Sequence, residues 1–452
     1  MASQDTEAIL AIQHQRAEET QLSMLELLPY ELKHAVAVCC NPEAVINLAL
    51  TGPTFYAFIK DAEVSVSAKI IKHTIGPDFI GLATALHLTE SSLWSHVAFN
   101  GTEQSQAQLI TFLTDESLGC DRPAQLRHSY NLNDTIQMLQ FRSAVDYYAS
   151  ILSEEARLRA PKSGDPMCYY SPFLDRVQPL QLKLQSSMPV SATELGRYTK
   201  ALYLMQLGCN LYKRPLNNGT VNWRSGPVYR AAQQFWTRFA PWEHQQVRCV
   251  QTMLEDHMFY LMYPQDFGRK AMRNPFKLRE LIGIFLLSHD LCETMEIEKH
   301  GTAKSSIEGF QHQLSDAPMR REAWFSNDDE PWLEKNPVNG DVSLNAEPIF
   351  ARYPEDDSGP RDAWLQTLLF ISTEDPALHS HQHMNNYLGC ETCLTLSGFV
   401  FLDRAKLDTY SGGLLQTTDY MVNASSDMWI IVELLRFHTW GRSVGYHRFA
   451  RL

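Results

Sequence analysis

Prolines at three positions divide the stretch LLPYELKHAVAVCCNPEAVINLALTGPTFYAFIKDAE, Leu27 to Glu63, into three short helices. Pro29 suits a helix start, because its missing N–H would have no partner in a first turn. Glu31 then lies near the positive end of the helix dipole. Leu32, Val36 and Cys39 or Cys40 recur at helical spacing and share one face. Asn41-Pro42 ends that helix and starts the next, with Asn41 as cap and Pro42 in the first position. The second helix carries Val45, Ile46, Leu48, Ala49 and Leu50, and is apolar nearly all round. Gly52-Pro53 breaks it, and Phe55, Phe58, Ile59 and Ala62 mark a third. Three helices this short make a poor independent core. Their spare apolar surface must be covered by the rest of the chain or by a partner, and local patterning does not choose between the two.

The chain has 452 residues, more than one hydrophobic core usually organises. Hydrophobic residues make up 44% and charged residues 20%, a globular rather than disordered composition. A formal charge of −13 and the lack of any Lys/Arg run argue against nucleic acid or anionic membrane as partner. No window approaches the roughly 18 apolar residues of a membrane span. Residues 1–22 read as a polar helix or tail without a secretory core. The nine cysteines are an odd, sparse set, expected to be mostly reduced thiols in a cytoplasmic or nuclear protein.

Helical patterning dominates the remainder. The run Asn131–Leu158 keeps an apolar stripe of Ile136, Leu139, Val145, Tyr148, Ile151 and Leu152. Prolines at 161, 166, 172, 179 and 189 mark a connection. Ser191-Ala-Thr-Glu194 has the spacing of a capping box ahead of another helix. Further helices are expected at Val228–Phe239, Trp242–Met262, Lys277–Leu291, Asp362–Ile371, Met384–Phe401 and Asp427–His438. Between Ser315 and Pro360, eleven acidic residues, four basic ones and six prolines predict a long mobile acidic loop. The expected fold is mainly α. Its parts are a 1–22 tail, a small three-helix module at 23–75, a helical body at 76–314, the acidic loop at 315–360 and a C-terminal helical part at 361–452.

The stretch LP-x-E-L, followed by an acid-initiated apolar helix and LALTGPTFY from Leu48 to Tyr56, resembles an F-box of the fungal type. Gly52, Pro53 and Phe55 stand where that family commonly has cysteine, a basic residue and tryptophan. The resemblance implies a non-enzymatic adaptor, without cofactor, that docks on Skp1 and so connects a target protein to a cullin–RING ubiquitin ligase. It places Leu28, Pro29, Leu32, Val36, Val45, Leu48, Leu50 and Phe55 at the Skp1 contact. FWTRFAPWEHQQVRCVQTMLEDHMFY from Phe235 and GFVFLDRAKLD from Gly398 are similar to segments of the same group of chains. Aromatic packing at a helix start is their physical meaning, with Trp236, Phe239 and Trp242 inside. A stand-alone helical scaffold whose F-box-like segment belongs to its own core is the alternative reading.

A third, remote reading is a metal-dependent enzyme. His379, His381 and His383 precede Cys390-x-x-Cys393, and imidazole and thiolate suit zinc. Their order and spacing differ from a zinc finger's, so packed cysteines and a surface histidine run are the expectation. His289 is expected to act as a cation at a helix C-terminus, Glu255-Asp256-His257 as a solvated helix face, and Met253, Met258 and Met262 as core filler. Phosphate-binding loops and hydrolase or kinase signatures are absent.

Overall fold

A computed structural model describes residues 24–90, 130–159, 188–212, 235–262, 275–313, 334–335, 342–343, 346–354, 356–364 and 398–410. The fold is mainly α. Helices α1 to α4 are Tyr30–Cys39, Pro42–Leu50, Pro53–Ile75 and Ile80–Glu90. They are followed by α5 (Leu132–Arg159), α6 (Ala192–Tyr212), α7 (Pro241–Met262), α8 (Pro275–Ser288), α9 (Leu291–Lys299) and α10 (Ala303–Gln313). A two-residue antiparallel ladder, β1 (Glu334–Lys335) with β2 (Val342–Ser343), precedes α11 (Ala346–Arg352) and α12 (Arg404–Tyr410). The chain divides into two compact units, Met1–His87 with Cys120–Arg142, and Leu88–Gly119 with Ser143–Leu452.

In the first unit the proline punctuation works as local chemistry requires. The Pro29 carbonyl accepts the first bonds of α1, from the N–H groups of Leu32 (3.1 Å) and Lys33 (3.0 Å). Asn41 caps α2, its Oδ1 accepting the Ala44 N–H at 2.7 Å. Helix α3 is longer than expected, because Val66, Ile70, Ile71 and Ile75 extend the stripe begun by Phe55, Phe58, Ile59 and Ala62. Gly76, at φ 83°, stops it in the left-handed region that favours glycine.

The core of this unit joins Ala37, Val45, Phe55, Phe58, Ile59, Ala62, Val66 and Ile70 to Leu132 at the start of α5. The Leu132 N–H donates to Glu63 Oε1 at 2.9 Å. Asn131 and Asp134 cap the same helix end reciprocally, through Asp134 N–H to Asn131 Oδ1 (2.8 Å) and Asn131 N–H to Asp134 Oδ2 (3.1 Å). The expected 23–75 module is therefore one part of a larger unit. Part of its spare apolar surface meets Leu132 and Leu139, on a helix that enters more than fifty residues after the module ends.

In the second unit, the Ser191–Glu194 capping box forms at the head of α6. Glu194 N–H reaches Ser191 Oγ at 3.0 Å and Ser191 N–H reaches Glu194 Oε2 at 2.9 Å. Helix α7 begins at Pro241, and Glu243 in its first turn accepts the Ala240 N–H at 2.8 Å. Phe235, Trp236, Phe239 and Trp242 are buried around that start, as aromatic packing predicts. The helix expected at Lys277–Leu291 instead spans Pro275–Ser288. Asp290 accepts the Glu293 N–H at 2.7 Å and opens α9 with a second capping box, so Leu291 is a first residue and not a last one.

The C-terminal end of the expected acidic loop is packed. Phe350 and Tyr353 lie beside the buried Trp242 ring, each 6.3 Å from it between centroids. Asp357 accepts from Arg197 Nη2 at 2.6 Å and from the Gly359 and Arg404 N–H groups at 3.0 Å each. These aromatic and ionic partners, which the segment's composition does not show, hold residues 349–354 and 356–360 in place.

Candidate partner-docking surface

Helix α1 turns its polar His34 inward and much of its apolar surface outward. Ala37 and His34 are buried. His34 Nε2 lies 2.6 Å from Ser65 Oγ on α3, and Tyr30 meets Phe58 edge-on at 5.1 Å. Burial, assisted by the Lys69 charge, lowers the His34 pKa below its ordinary value, so the ring is neutral at neutral pH. The exposed residues of α1 are Tyr30, Glu31, Leu32, Ala35, Val36 and Cys39. Glu31 is the one formal charge among them. A solvated helix would put charges on this side.

A second apolar group surrounds the α2–α3 junction. Leu50 is 76% exposed and Tyr56 56%. A Cβ on Gly52 would lie 2.7 Å from Glu26 Oε1, so the segment carrying exposed Met24, Leu25 and Leu27 passes beside this junction. Gly52 has extended backbone, φ −177°, and only a movable carboxylate nearby, so no backbone strain requires glycine here. Among the described residues, twelve large apolar side chains are exposed, and nine of them fall between Met24 and Val64. Exposure on this scale, gathered in one short segment, is the usual mark of an interaction surface.

The eight residues assigned to a Skp1-type contact separate on this framework. Leu32 and Leu50 are well exposed, Val36 and Pro29 are exposed, and Leu28 is half-buried. Val45 and Phe55 are 0% and 3% exposed and belong to the unit's own core, where Leu48 packs against them half-buried. Phe55, where the resemblance expects tryptophan, is an interior position. Cys39 lies on the face that spacing groups with Leu32 and Val36, whereas Tyr30, Ala35 and Tyr56 were missed as surface, although Ala35, three residues after Leu32, could have been found by the same spacing.

The other candidate constellations fare differently. His379, His381, His383, Cys390 and Cys393 lie outside the described residues. Among the described residues, no group of three or more His, Cys, Asp or Glu is placed to hold a metal ion. His289 stays at the α8 C-terminus, its Nδ1 2.9 Å from the Phe285 carbonyl oxygen, as expected of a helix-end histidine. Met253, Met258 and Met262 are buried as core filler.

Glu255, Asp256 and His257 contradict the expected solvated face: all three are buried. His257 Nδ1 is 2.8 Å from Glu155 Oε1, and its Nε2 is 3.0 Å from Glu298 Oε1. Neither partner is local, so helical spacing around 257 could not show them.

The two other segments with family resemblance meet in space. Gln246 on α7 donates to the Val400 carbonyl at 3.0 Å, and Tyr198 stacks on Phe401 at 3.8 Å. Gly398 has φ 67°, and a Cβ there would lie 2.2 Å from the Tyr198 hydroxyl oxygen, so this approach needs glycine. Arg197 closes the junction, donating to the Phe401 carbonyl and to Asp403 Oδ1 at 2.8 Å each.

Fold and surface together define a mainly α chain with an apolar face exposed on α1. No protein-family model, curated protein or solved structure matches it. No described helix is long and apolar enough to cross a membrane.

Proposed function

We propose that this chain is an F-box-like adaptor. Its first unit docks on a Skp1-type protein, and its second unit holds a target near a cullin–RING ligase. Catalysis is then proximity, with the chemistry done in another protein's active site. The observation that carries this reading is the outward face of α1, where Leu32, Ala35, Val36 and Cys39 are exposed. Pro29 and Leu28 at one end, and Leu50 beyond the α2–α3 break, extend the docking set as a helix-in-groove interface would. Val45, Leu48 and Phe55 support it from inside.

Co-purification with a recombinant Skp1-type adaptor tests the reading, comparing wild type with Leu28→Asp/Leu32→Asp. Burying two such side chains contributes about 2–3 kcal/mol, so the variant should bind at least about 30-fold more weakly while keeping its helical circular dichroism. Absence of wild-type binding overturns the adaptor.

A helical scaffold that keeps this segment as its own core is the second reading. It is favoured by Leu132 and Glu63, which knit the module to α5. Under it, the Asp variant changes nothing in any complex.

A further inference from the structure

The Glu155–His257–Glu298 arrangement in the second unit constrains its own protons. Glu298 accepts hydrogen bonds from Tyr147 Oη at 2.9 Å and Tyr148 Oη at 3.2 Å, besides meeting His257 Nε2. With both tyrosine hydroxyls donating to it, Glu298 is held ionised, so the proton of the Nε2 contact sits on the ring. Glu155 Oε1 lies 2.8 Å from Nδ1, a contact made by a ring N–H donating to the carboxylate, so Nδ1 carries one as well. The ring is an imidazolium held between two carboxylates, one on α5 and one on α9.

We infer that His257 is a proton-operated latch of the second unit: doubly protonated, it ties α5, α7 and α9 together, and loss of one ring proton to water frees the Glu155 end of α5 from α7.

The tyrosines and Cys292 near the ring titrate above its range, while Glu90, whose charge acts on Cys292, is raised to about 7 by burial and Asp290. From α5 the ring faces Glu155, Tyr147 and Tyr148, the last edge-on at 6.4 Å. From α9 it faces Glu298, with Cys292 beside Tyr148, and Glu255 and Asp256 precede it on α7. Burial opposes the imidazolium, but the hydrogen bonds and charges of Glu155 and Glu298 overcome it and hold the ring at about 9 against an ordinary 6.5. Burial and Glu298 push Tyr147 up to about 12 and Tyr148 further still, and burial with Asp290 pushes Cys292 up to about 12. Glu298 is held below the usual carboxylate range despite its burial, by hydrogen bonds from His257 and the two tyrosines. A histidine whose folded pKa is raised contributes its stability fully below about 6.5 and loses it as pH climbs through about 9.

The test uses the full chain. Proton NMR of the imidazole ring, assigned with His257→Gln, should show a titration midpoint above 8. Hydrogen exchange of amides in 143–159 gives the opening equilibrium, corrected for base catalysis. That equilibrium should rise on the order of a hundredfold between pH 6.5 and 9.5 in wild type. In His257→Gln it should stay flat. Should that variant not fold, Glu155→Gln keeps the ring and its Glu298 bond, and should lower the midpoint by about a unit or more. A wild-type midpoint below 7, or an unchanged pH slope in the variants, overturns the latch.

Discussion

Truncating Leu132 to alanine should loosen the first unit from a position 69 residues away from its hydrogen-bond partner Glu63. Leu132 is 6% exposed and lies in the cluster of Phe55, Phe58, Ile59 and Ala62. The substitution removes three carbons, a transfer loss of about 2.4 kcal/mol at about 0.8 per carbon. A cavity contribution brings the expected cost to about 3 kcal/mol. The bond from the Leu132 backbone N–H to the Glu63 carboxylate does not involve the Leu132 side chain and survives. None of the nine tryptophans lies between residues 24 and 90, so tryptophan emission is not a probe placed within α1 to α4. Hydrogen exchange of peptides covering α1 to α3 is the suitable assay. About 3 kcal/mol corresponds to about 150-fold faster exchange wherever opening of this unit governs the rate. Leu50→Ala, at a side chain 76% exposed, is the control and should change exchange less than about threefold. If Leu132→Ala behaves like the control, α5 is no part of this core and the three-helix segment stands alone.

Other outcomes follow from single groups. Ser191→Ala removes the α6 cap and should lower stability by about 0.5–2 kcal/mol, visible as a lower thermal midpoint, with Ser191→Gly costing less. Asp357 is held below the usual carboxylate range against its own burial, by Arg197 and by the Gly359 and Arg404 N–H groups. Its stabilisation is present above about 3.9 and lost as pH falls further, so Asp357→Asn should flatten the acid limb of a denaturation curve without moving the alkaline one. Cys39 is a free, exposed thiol on the outward face of α1, the face proposed for docking. Iodoacetamide should label it in the isolated chain and be slowed at least tenfold by a bound Skp1-type adaptor; equal labelling with adaptor bound would place the interface elsewhere. Trypsin should cut slowly at Arg352, whose guanidinium donates to the Thr237 carbonyl at 3.2 Å.

Where the sequence was legible, the chemistry acts within about four residues. Asn41 capping α2, Ser191 and Glu194 sharing the α6 entrance, and Pro241 with Glu243 opening α7 depend on neighbours in the chain. The Asp290–Glu293 box has the same spacing as Ser191–Glu194 and was equally available, but the apolar run before it hid the break between α8 and α9. The Val66–Ile75 stripe likewise follows from helical spacing alone.

Tertiary structure decided which apolar faces are interior. Leu32 and Val45 carry the same kind of pattern, yet α3 and Leu132 close over Val45 while Leu32 remains outside. It also decided that Glu255-Asp256-His257 lies inside, against its charged composition, because Glu155 and Glu298 arrive from 102 and 41 residues away to bind the ring. Capping and helical spacing are short-range, so the chain determined its own helix ends by itself. Burial of a face, and of a charge, depends on partners brought by distant segments, and only the folded chain supplies them.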